Sequence, residues 1–247
     1  MDLNDRTVII TGAGSGIGWV ACQVFAEAGA TVIASDIHEE PANAVADSVD
    51  GTAVVGDVSD PDVWEQLVEA GGERLGAVYL NAGLYGHNGP IDELPIDQYQ
   101  RTIDANIGGV VLGTRACVPA LRANGGGAIV VTASVAGIIA FEGNPLYTLT
   151  KQAVAGFVRA LAPSLVADGI TIDAVCPGIV DTPMTTEALG GASADDLGIG
   201  LIDPTDIART AFDLATSEGT GRCRAVRGTG GPPVDWQFPT WVDLAKA

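Results

Sequence analysis

The chain alternates short apolar runs, many of them β-branched, with longer amphipathic segments. Six runs are predicted strands: RTVIIT, ATVIASD, TAVVGD, GAVYLNAG, GAIVVTAS and ITIDAVCPG. Segments around residues 61–70, 97–123 and 147–167 have apolar side chains at helical spacing. Because this alternation is typical of helical crossovers between parallel strands, it predicts an α/β fold, a doubly wound parallel sheet of about seven strands with helices on both faces. No linker or internal repeat interrupts residues 1–247, so we expect a single domain.

The loop between the first strand and the first helix has the sequence TGAGSGIG, residues 11–18. Glycines here allow a tight turn and let the backbone approach a pyrophosphate, whose charge the start of the helix would stabilise. An ordinary tight turn also needs glycine, but the position between a strand and a helix favours a dinucleotide site. The predicted contacts in this loop are Gly12, Ser15, Gly16, Ile17 and Gly18.

Acidic residues follow the second and third strands. Asp36 lies 18 residues beyond Gly18, where a carboxylate could accept hydrogen bonds from both adenosine ribose hydroxyls and would repel a 2′-phosphate. This favours NAD over NADP. Asp57 could meet the adenine amino group. The alternatives are that Asp36 is solvated or caps the next helix, and that Asp57 or Asp60 caps the helix near Pro61. The predicted contacts here are Asp36, Ile37, Asp57 and Val58.

Charge and composition exclude several classes of partner. The chain has 31 acidic and 12 basic residues and a formal charge of −19, which would repel nucleic acid and anionic lipid. No run reaches the roughly 20 apolar residues of a membrane span, and the first residues lack signal-peptide features. We therefore expect a cytoplasmic, unprocessed protein. An acidic surface with only two lysines also suits a salt-adapted host, although an ordinary acidic cytosolic protein is the commoner explanation. The four separated cysteines predict reduced core thiols and no metal site.

Six short motifs together resemble the short-chain dehydrogenase/reductase family of the classical type. They are TGAGSGIG, LNAG at 80–83, IDANIGG at 103–109, VTAS at 131–134, YTLTK at 147–151 and CPGIVDTPM at 176–184. They occur in the order and at the spacing of that family, from residue 7 to about 184. The resemblance implies a Rossmann-type NAD-binding domain that interconverts secondary alcohols and ketones.

The resemblance implies a catalytic set of four residues. Tyr147 and Lys151 share one face of a helix at i and i+4. Tyr147 would be the general acid/base, and the Lys151 ammonium, together with the positive nicotinamide ring of NAD⁺, is expected to lower the phenol pKa from its ordinary value of about 10. Ser134, at the carboxyl end of a strand, would donate to the substrate oxygen. Asn106 would hold a water linking Lys151 to solvent. Taken singly, these residues could instead be a strand-end cap, a helix-interior hydrogen-bonding residue and an exposed helical pair.

Further cofactor contacts are implied by the same resemblance, together with transfer of the pro-S hydride. Contacts are expected from the end of the fourth strand and from the loop after the sixth. They are Asn81, Ala82, Gly83, Pro177, Gly178, Val180 and Thr182, in addition to Tyr147 and Lys151.

The substrate region is expected to be apolar. Residues 183–203 are predicted to form a short lid that orders over the substrate, the alternative being a solvated loop. His87 could be an extra acid/base, although a surface residue is the simpler interpretation. The uncharged walls favour a hydrophobic secondary alcohol or ketone as the small-molecule partner. The predicted walls are residues 84–87, Ala136, Ile138, Phe141, Asn144 and Met184.

The C-terminal stretch 229–247 is an atypical, aromatic tail. Its Trp236, Phe238 and Trp241 are expected to pack on a second subunit or on the rim of the pocket. Arg222 and Arg224 are expected to share one face of an edge strand. Helices 97–123 and 147–167 carry small residues that could form the interface of a homodimer or homotetramer, or could serve packing within one chain. These residues are Gly108, Gly109, Gly113, Ala153 and Gly156.

Two other functional classes remain open from the sequence. One is another reaction on the same fold, such as that of an epimerase, dehydratase or halohydrin lyase. The other is a nucleotide-sensing protein without turnover, for which loss of the tyrosine or lysine would be expected.

Overall fold

Eight strands and eight α-helices make up the computed structural model, which describes residues 1–190, 200–228, 230–239 and 243. The strands are β1 (Thr7–Thr11), β2 (Thr31–Asp36), β3 (Thr52–Val55), β4 (Leu75–Leu80), β5 (Gly127–Thr132), β6 (Ile170–Pro177), β7 (Cys223–Val226) and β8 (Val234–Asp235). The helices are α1 (Gly16–Glu27), α2 (Glu39–Ser48), α3 (Pro61–Gly71), α4 (Ile96–Ile103), α5 (Gly109–Ala123), α6 (Pro145–Leu165), α7 (Pro183–Ala188) and α8 (Pro204–Thr216).

The strands form one sheet in the order β3-β2-β1-β4-β5-β6-β7-β8. All neighbours pair in parallel except β7 and β8, which are antiparallel. The doubly wound parallel fold is confirmed. The eighth strand was not predicted, because two residues of the tail are too few to give a periodic pattern. Since β8 pairs with β7, Arg224 does not lie on an edge strand as expected.

Each face of the sheet is covered by a helical layer. In β1, the side chains of Val8 and Ile10 pack with those of Phe25 and Leu214 on the α1, α2 and α8 side. Ile9 points to the opposite layer, which contains α3, α5 and α6. Alternate residues of a strand face opposite sides of a sheet, so an almost continuously apolar strand is buried on both faces.

The long helix predicted at 97–123 is interrupted by a π-helical turn. Helix α4 ends at Ile103, residues Asp104–Gly108 form the π turn, and α5 begins at Gly109. A Cβ at Gly109 would lie 2.7 Å from Val58 Cγ2, and one at Gly113 would lie 2.7 Å from Leu80 Cδ2. These two glycines are buried and serve packing within the chain, so the expectation that they lie on an interface is wrong for them.

Proline and a polar cap mark the start of several helices. Asp60 caps α3 by accepting a hydrogen bond from the backbone N–H of Asp62 at 2.9 Å, and Pro61 follows it. The alternative in which Asp57 caps this helix is therefore wrong. At α6, Asn144 is the cap and Pro145 the first helical residue. Proline is favoured there because the first N–H of a helix needs no intrahelical partner.

Parts of the predicted lid and tail lie outside the described residues. The lid prediction, 183–203, covers α7 and residues 200–203, whereas 191–199 are outside the described part, as is Trp241. Phe238 packs on α6, with the guanidinium carbon of Arg159 3.7 Å from its ring centroid. Trp236 is 43% exposed. Within the described ranges, no helix is long and apolar enough to cross a membrane.

Candidate active site

A cavity of about 700 Å³ opens at the carboxyl ends of the parallel strands. It is lined by all the predicted cofactor and catalytic residues except Gly18 and Asn106. Four predicted wall residues, Gly86, His87, Ile138 and Asn144, are also absent from the described lining. An adjoining, more open cavity at α7 contains none of the predicted catalytic residues. Three of the predicted catalytic residues, Ser134, Tyr147 and Lys151, thus line the first cavity and not the second.

The glycine-rich loop is shaped for close approach of a ligand to its backbone. Gly12 and Gly16 have positive φ angles of 63° and 50°, which other residues adopt with strain. A Cβ at Gly12 would lie 2.9 Å from Ala82 Cα, and a Cβ at Gly18 would overlap the Gly12 carbonyl. Gly18 thus serves close packing beneath the loop.

The start of α1 is suited to an anion. Its first turn carries no acidic residue, and the Ser15 side chain makes no capping bond within the described chain. The free N–H groups and the dipole of a helix N-terminus stabilise negative charge. The loop therefore fits the pyrophosphate of a dinucleotide.

The Asp36 carboxylate holds the loop while facing the cavity. Its Oδ2 accepts a hydrogen bond from Gly14 N at 2.9 Å, and its Oδ1 accepts one from His38 N at 3.0 Å. Each carboxylate oxygen can accept a further hydrogen bond. Neither alternative is correct for Asp36, because it is engaged with the loop and because His38 occupies the cap position of α2. Asp57 lines the cavity and accepts bonds from the backbone N–H and hydroxyl of Ser59.

Tyr147 and Lys151 project from α6 into the cavity. Lys151 is only 4% exposed, and its Nζ donates to the Thr132 carbonyl at 2.8 Å. The same Nζ lies 5.5 Å from the centroid of the Tyr147 ring. The Ser134 Oγ accepts a hydrogen bond from Ala136 N at 3.1 Å, so Ser134 caps a short turn as well as facing the cavity.

Burial moves the pKa values of the pair in opposite directions. Desolvation lowers the pKa of Lys151 to about 8. Desolvation also raises the pKa of Tyr147 to about 12, although a hydrogen bond from Ser134 opposes the rise. In the protein by itself, burial penalises the phenolate more than its polar neighbours favour it. The expectation that the Lys151 ammonium and the nicotinamide ring together lower the phenol pKa applies to the cofactor-bound protein and stays a prediction.

Asn106 lies in the π turn with its side chain buried. Its Oδ1 accepts a hydrogen bond from Leu84 N at 2.7 Å, and its Nδ2 donates to Leu84 O at 2.9 Å and to Thr150 Oγ1 at 3.0 Å. The side chain thus ties the segment after β4 to α6, as the helix-interior alternative anticipates.

Several predicted residues have other roles, and some lining residues were not predicted. His87 is a loop residue whose Nε2–H donates a hydrogen bond to the Pro90 carbonyl at 2.9 Å. Thr132, whose carbonyl accepts the Lys151 bond, ends β5 and lies within the VTAS motif, but it was not predicted as a site residue. Other lining residues that were not predicted include His38, Ser59, Arg101 and Asp104, whereas Thr185, Glu187 and Leu189 belong to the predicted lid segment. Among the described side chains, no group of three or more metal-ligating residues is present.

Comparison with known proteins gives a consistent result. The family model described as short chain dehydrogenase matches residues 6–191. A cyclohexanol dehydrogenase from Acinetobacter sp. (strain SE19) is 36% identical over 192 residues, covering 74% of this chain and 76% of the relative. A trans-4-hydroxycyclohexanecarboxylate dehydrogenase from Sinomonas cyclohexanicum is 32% identical over 208 residues, covering 78% of this chain and 80% of the relative.

Solved structures share the fold and hold different cofactors. Levodione reductase superposes with a TM-score of 0.85 at 27% identity, covering 92% of this chain and 97% of that one. A 3-ketoacyl-(acyl-carrier-protein) reductase from Brucella melitensis complexed with NADH gives 0.83 at 28% identity, covering 92% and 98%. A protein from Beutenbergia cavernae with bound NADP gives 0.82 at 30% identity, covering 92% and 97%. Similarity alone thus leaves the choice between NAD and NADP open.

Proposed function

The chain belongs to the short-chain dehydrogenase/reductase family, and we propose that it is an NAD-dependent dehydrogenase that interconverts a hydrophobic secondary alcohol and its ketone. The observation that carries the proposal is that Ser134, Tyr147 and Lys151 line the same cavity as the glycine-rich loop. A dinucleotide held by the loop and a substrate held by the hydroxyls would meet at the carboxyl edge of the sheet.

Tyr147 would be the general acid/base. Its phenol oxygen would take the proton of the substrate hydroxyl during oxidation and return it to the carbonyl oxygen during reduction. When bound, the nicotinamide ring would supply the hydride chemistry. Ser134, whose hydroxyl donates to the Pro177 carbonyl at 3.4 Å, would donate instead to the substrate oxygen as negative charge develops there.

Lys151 would stabilise the phenolate and bind the nicotinamide ribose. With a pKa of about 8, it is mostly an ammonium at neutral pH, and a positive charge close to the phenol favours the phenolate. Asn106 would complete the set by fixing the backbone of Leu84. This backbone is close to the lysine, because a Cβ on the preceding Gly83 would lie 3.6 Å from Lys151 Nζ.

The proposed cofactor is NAD, bound by the predicted loop, strand-end and carboxamide contacts. Asp36 supports this choice because its carboxylate lines the cavity and would repel a 2′-phosphate. Besides Lys151, the basic residues of the described lining are Arg101 and His38. The Arg101 side chain pairs with Asp97 at 3.0 Å, and His38 donates its backbone N–H to Asp36.

The proposed substrate is a neutral, alicyclic or similarly hydrophobic alcohol. Leu84 and Phe141 line the cavity with 45% and 44% of their surface exposed, so apolar area is available for a ligand to cover. Exposed Glu187 in the lining disfavours an anionic substrate. Two relatives are named for oxidation of cyclohexane alcohols, which supports the alicyclic class.

A simple assay tests the function. The purified protein is mixed with NAD⁺ and a panel of hydrophobic secondary alcohols, including cyclohexanol, and NADH absorbance is followed. We expect turnover, and we expect Tyr147→Phe to bind NAD⁺ normally with about 10²–10⁴-fold lower kcat. Tight NAD⁺ binding without turnover of any alcohol or ketone would contradict the proposal, as would an active phenylalanine variant.

We extend the proposal to compartment and assembly. Four buried, free cysteines fit a reducing cytoplasm. The outward face of α6 carries Leu149, which is 54% exposed, and Gly156, where a Cβ would meet nothing within 4 Å. Such a flat apolar face supports a homodimer or homotetramer, which light scattering of the purified protein would measure.

A further inference from the structure

Two buried asparagines hold consecutive residues of the segment that follows β4. Asn106 binds both the backbone N–H and the carbonyl of Leu84. Asn144, with no exposed surface, donates from Nδ2 to the Tyr85 carbonyl at 3.0 Å. Buried side-chain amides with both ends engaged define a rigid local geometry. The backbone at Leu84 and Tyr85 is therefore fixed at two successive positions.

The second end of Asn144 fixes the start of the catalytic helix. Its Oδ1 accepts a hydrogen bond from Tyr147 N at 2.9 Å. One side chain thus joins the backbone of Tyr85 to that of Tyr147. Their rings lie 5.3 Å apart, centroid to centroid, at an interplanar angle of 43°. This distance is within the range of favourable aromatic pairs.

The backbone of a second aromatic residue, Phe141, is bound to the same turn of α6. The Thr148 hydroxyl donates to the Phe141 carbonyl at 3.0 Å. Phe141 and Tyr85 both line the cavity together with Tyr147. The backbones of both aromatic residues are therefore tied to the start of α6, the helix that carries the Tyr147 phenol.

On the basis of the proposed function, we propose that Tyr85 determines substrate specificity and that Asn144 is the residue that positions it. Tyr85 would form the wall that prefers a cyclic apolar alcohol over a linear one. A rigid ring loses little conformational entropy in a slot with fixed walls, whereas a linear chain must give up several torsions to bind there.

The test compares cyclohexanol with 2-hexanol, which has the same number of carbons. Tyr85→Ala should lower the ratio of the two kcat/KM values by about 10-fold or more, through the KM for cyclohexanol. Tyr85→Phe, which keeps the ring, should keep that ratio. Tyr99→Ala removes an exposed tyrosine outside the described lining and serves as the matched control.

Asn144→Ser separates positioning from helix capping. Serine is a good helix cap, so Tyr147 N keeps an acceptor, but the shorter side chain has no amide N–H to donate to the Tyr85 carbonyl, and it adds no charge at this buried position. We expect the same loss of the cyclohexanol preference as in Tyr85→Ala, with an unchanged Kd for NAD⁺ and a lower melting temperature because a buried hydrogen bond is lost. An Asn144→Ser enzyme with the wild-type preference would overturn the positioning role.

The outcomes distinguish this inference from the proposed function. Wild-type turnover with equal losses for both alcohols in Tyr85→Ala would overturn the wall and leave the function standing. If the wild type turns over neither of these alcohols nor any other alcohol or ketone of the panel, the proposed function fails. Saturation-transfer NMR of cyclohexanol on the protein with NAD⁺ then still tests the wall, because unchanged binding by Tyr85→Ala would overturn it and weakened binding would support it.

Discussion

At the scale of single residues, Lys151 shows how a functional group is kept at a cost in stability. The residue is 4% exposed, and its ammonium donates a hydrogen bond to the Thr132 carbonyl. Burial lowers its pKa from 10.5 to about 8. A lowered lysine pKa means that the folded protein binds this proton less tightly than the unfolded chain does.

The pH dependence of stability should reveal this cost. Below pH 8 both states bind the proton, so the folded state carries the full penalty. Between pH 8 and 10.5 the folded protein loses the proton first, and stability rises with pH. Lys151→Met should therefore raise the free energy of unfolding by about 1–2 kcal/mol at pH 7, after allowing for the lost hydrogen bond. The gain should shrink through that window.

Denaturant unfolding at pH 7 and pH 10 measures this difference. Arg115→Met, at an exposed position on α5, is the matched control and should change stability by less than about 0.5 kcal/mol at either pH. A methionine variant less stable than the wild type at pH 7, or one with a pH-independent gain, would show that burial of the ammonium is not the cause.

Asp36 combines two roles that a pair of variants can separate. Asp36→Asn removes the charge but keeps an acceptor for Gly14 or His38, so NADH binding should weaken and NADPH binding should improve, each by about 10-fold. Asp36→Ala removes the acceptor as well and should loosen the loop, weakening both. Fluorescence titration with each dinucleotide gives the dissociation constants. An unchanged NADH to NADPH preference in Asp36→Asn would place the ribose contact elsewhere.

The residues that the sequence could predict are those that form local motifs. Tyr147 and Lys151 are four apart, and Asp36 ends a strand, so their neighbourhood follows from the chain itself. Asn144 was predicted only as a wall. Its partner Tyr85 lies 59 residues away, and no periodicity reports a hydrogen bond between two loops. The raised pKa of Tyr147 was also missed, because burial depends on the whole fold.

At the scale of elements, a buried ion pair joins α8 to the sheet. Arg222 binds Asp173 on β6 through Nε at 3.0 Å and Nη2 at 2.7 Å, and its remaining donors reach Ser217, Glu218 and Leu214. Asp173 has no exposed surface. The sequence placed the arginines on one strand face, but their partners lie on other elements and were not predicted.

Removing one member of this pair should be costly. Asp173→Ala leaves a partly buried guanidinium without its carboxylate, so the free energy of unfolding should fall by about 3–5 kcal/mol. Asp168→Ala is the matched control, because Asp168 pairs with Arg122 at 2.7 Å in a more exposed setting. Such pairs contribute about 0–1 kcal/mol. Equal effects of the two substitutions in urea unfolding would contradict the proposed role of the buried pair.

At the scale of the whole molecule, the order of strands and helices was predictable because each element has its own periodicity. The π turn at Asp104–Gly108 and the short β8 were not, since neither has a periodic signal of its own. Net charge is also a whole-molecule property. At −19, the many small interactions between surface charges sum to a repulsion. Against these stand four ion pairs among the described residues, of which only the Arg222–Asp173 pair is largely shielded from solvent.

This imbalance predicts that salt stabilises the protein. Mobile ions screen charges beyond about 10 Å at 0.1 M ionic strength and beyond about 3 Å at 1 M, and self-repulsion of a highly charged protein destabilises the compact state. The melting temperature should therefore rise by several degrees between dilute buffer and about 1 M KCl. Sucrose at equal osmolality controls for general solute exclusion, and it should raise the melting temperature less. An equal rise in sucrose, or none in KCl, would mean that surface repulsion does not limit stability. In that case the acidic surface would have to be explained by solubility alone.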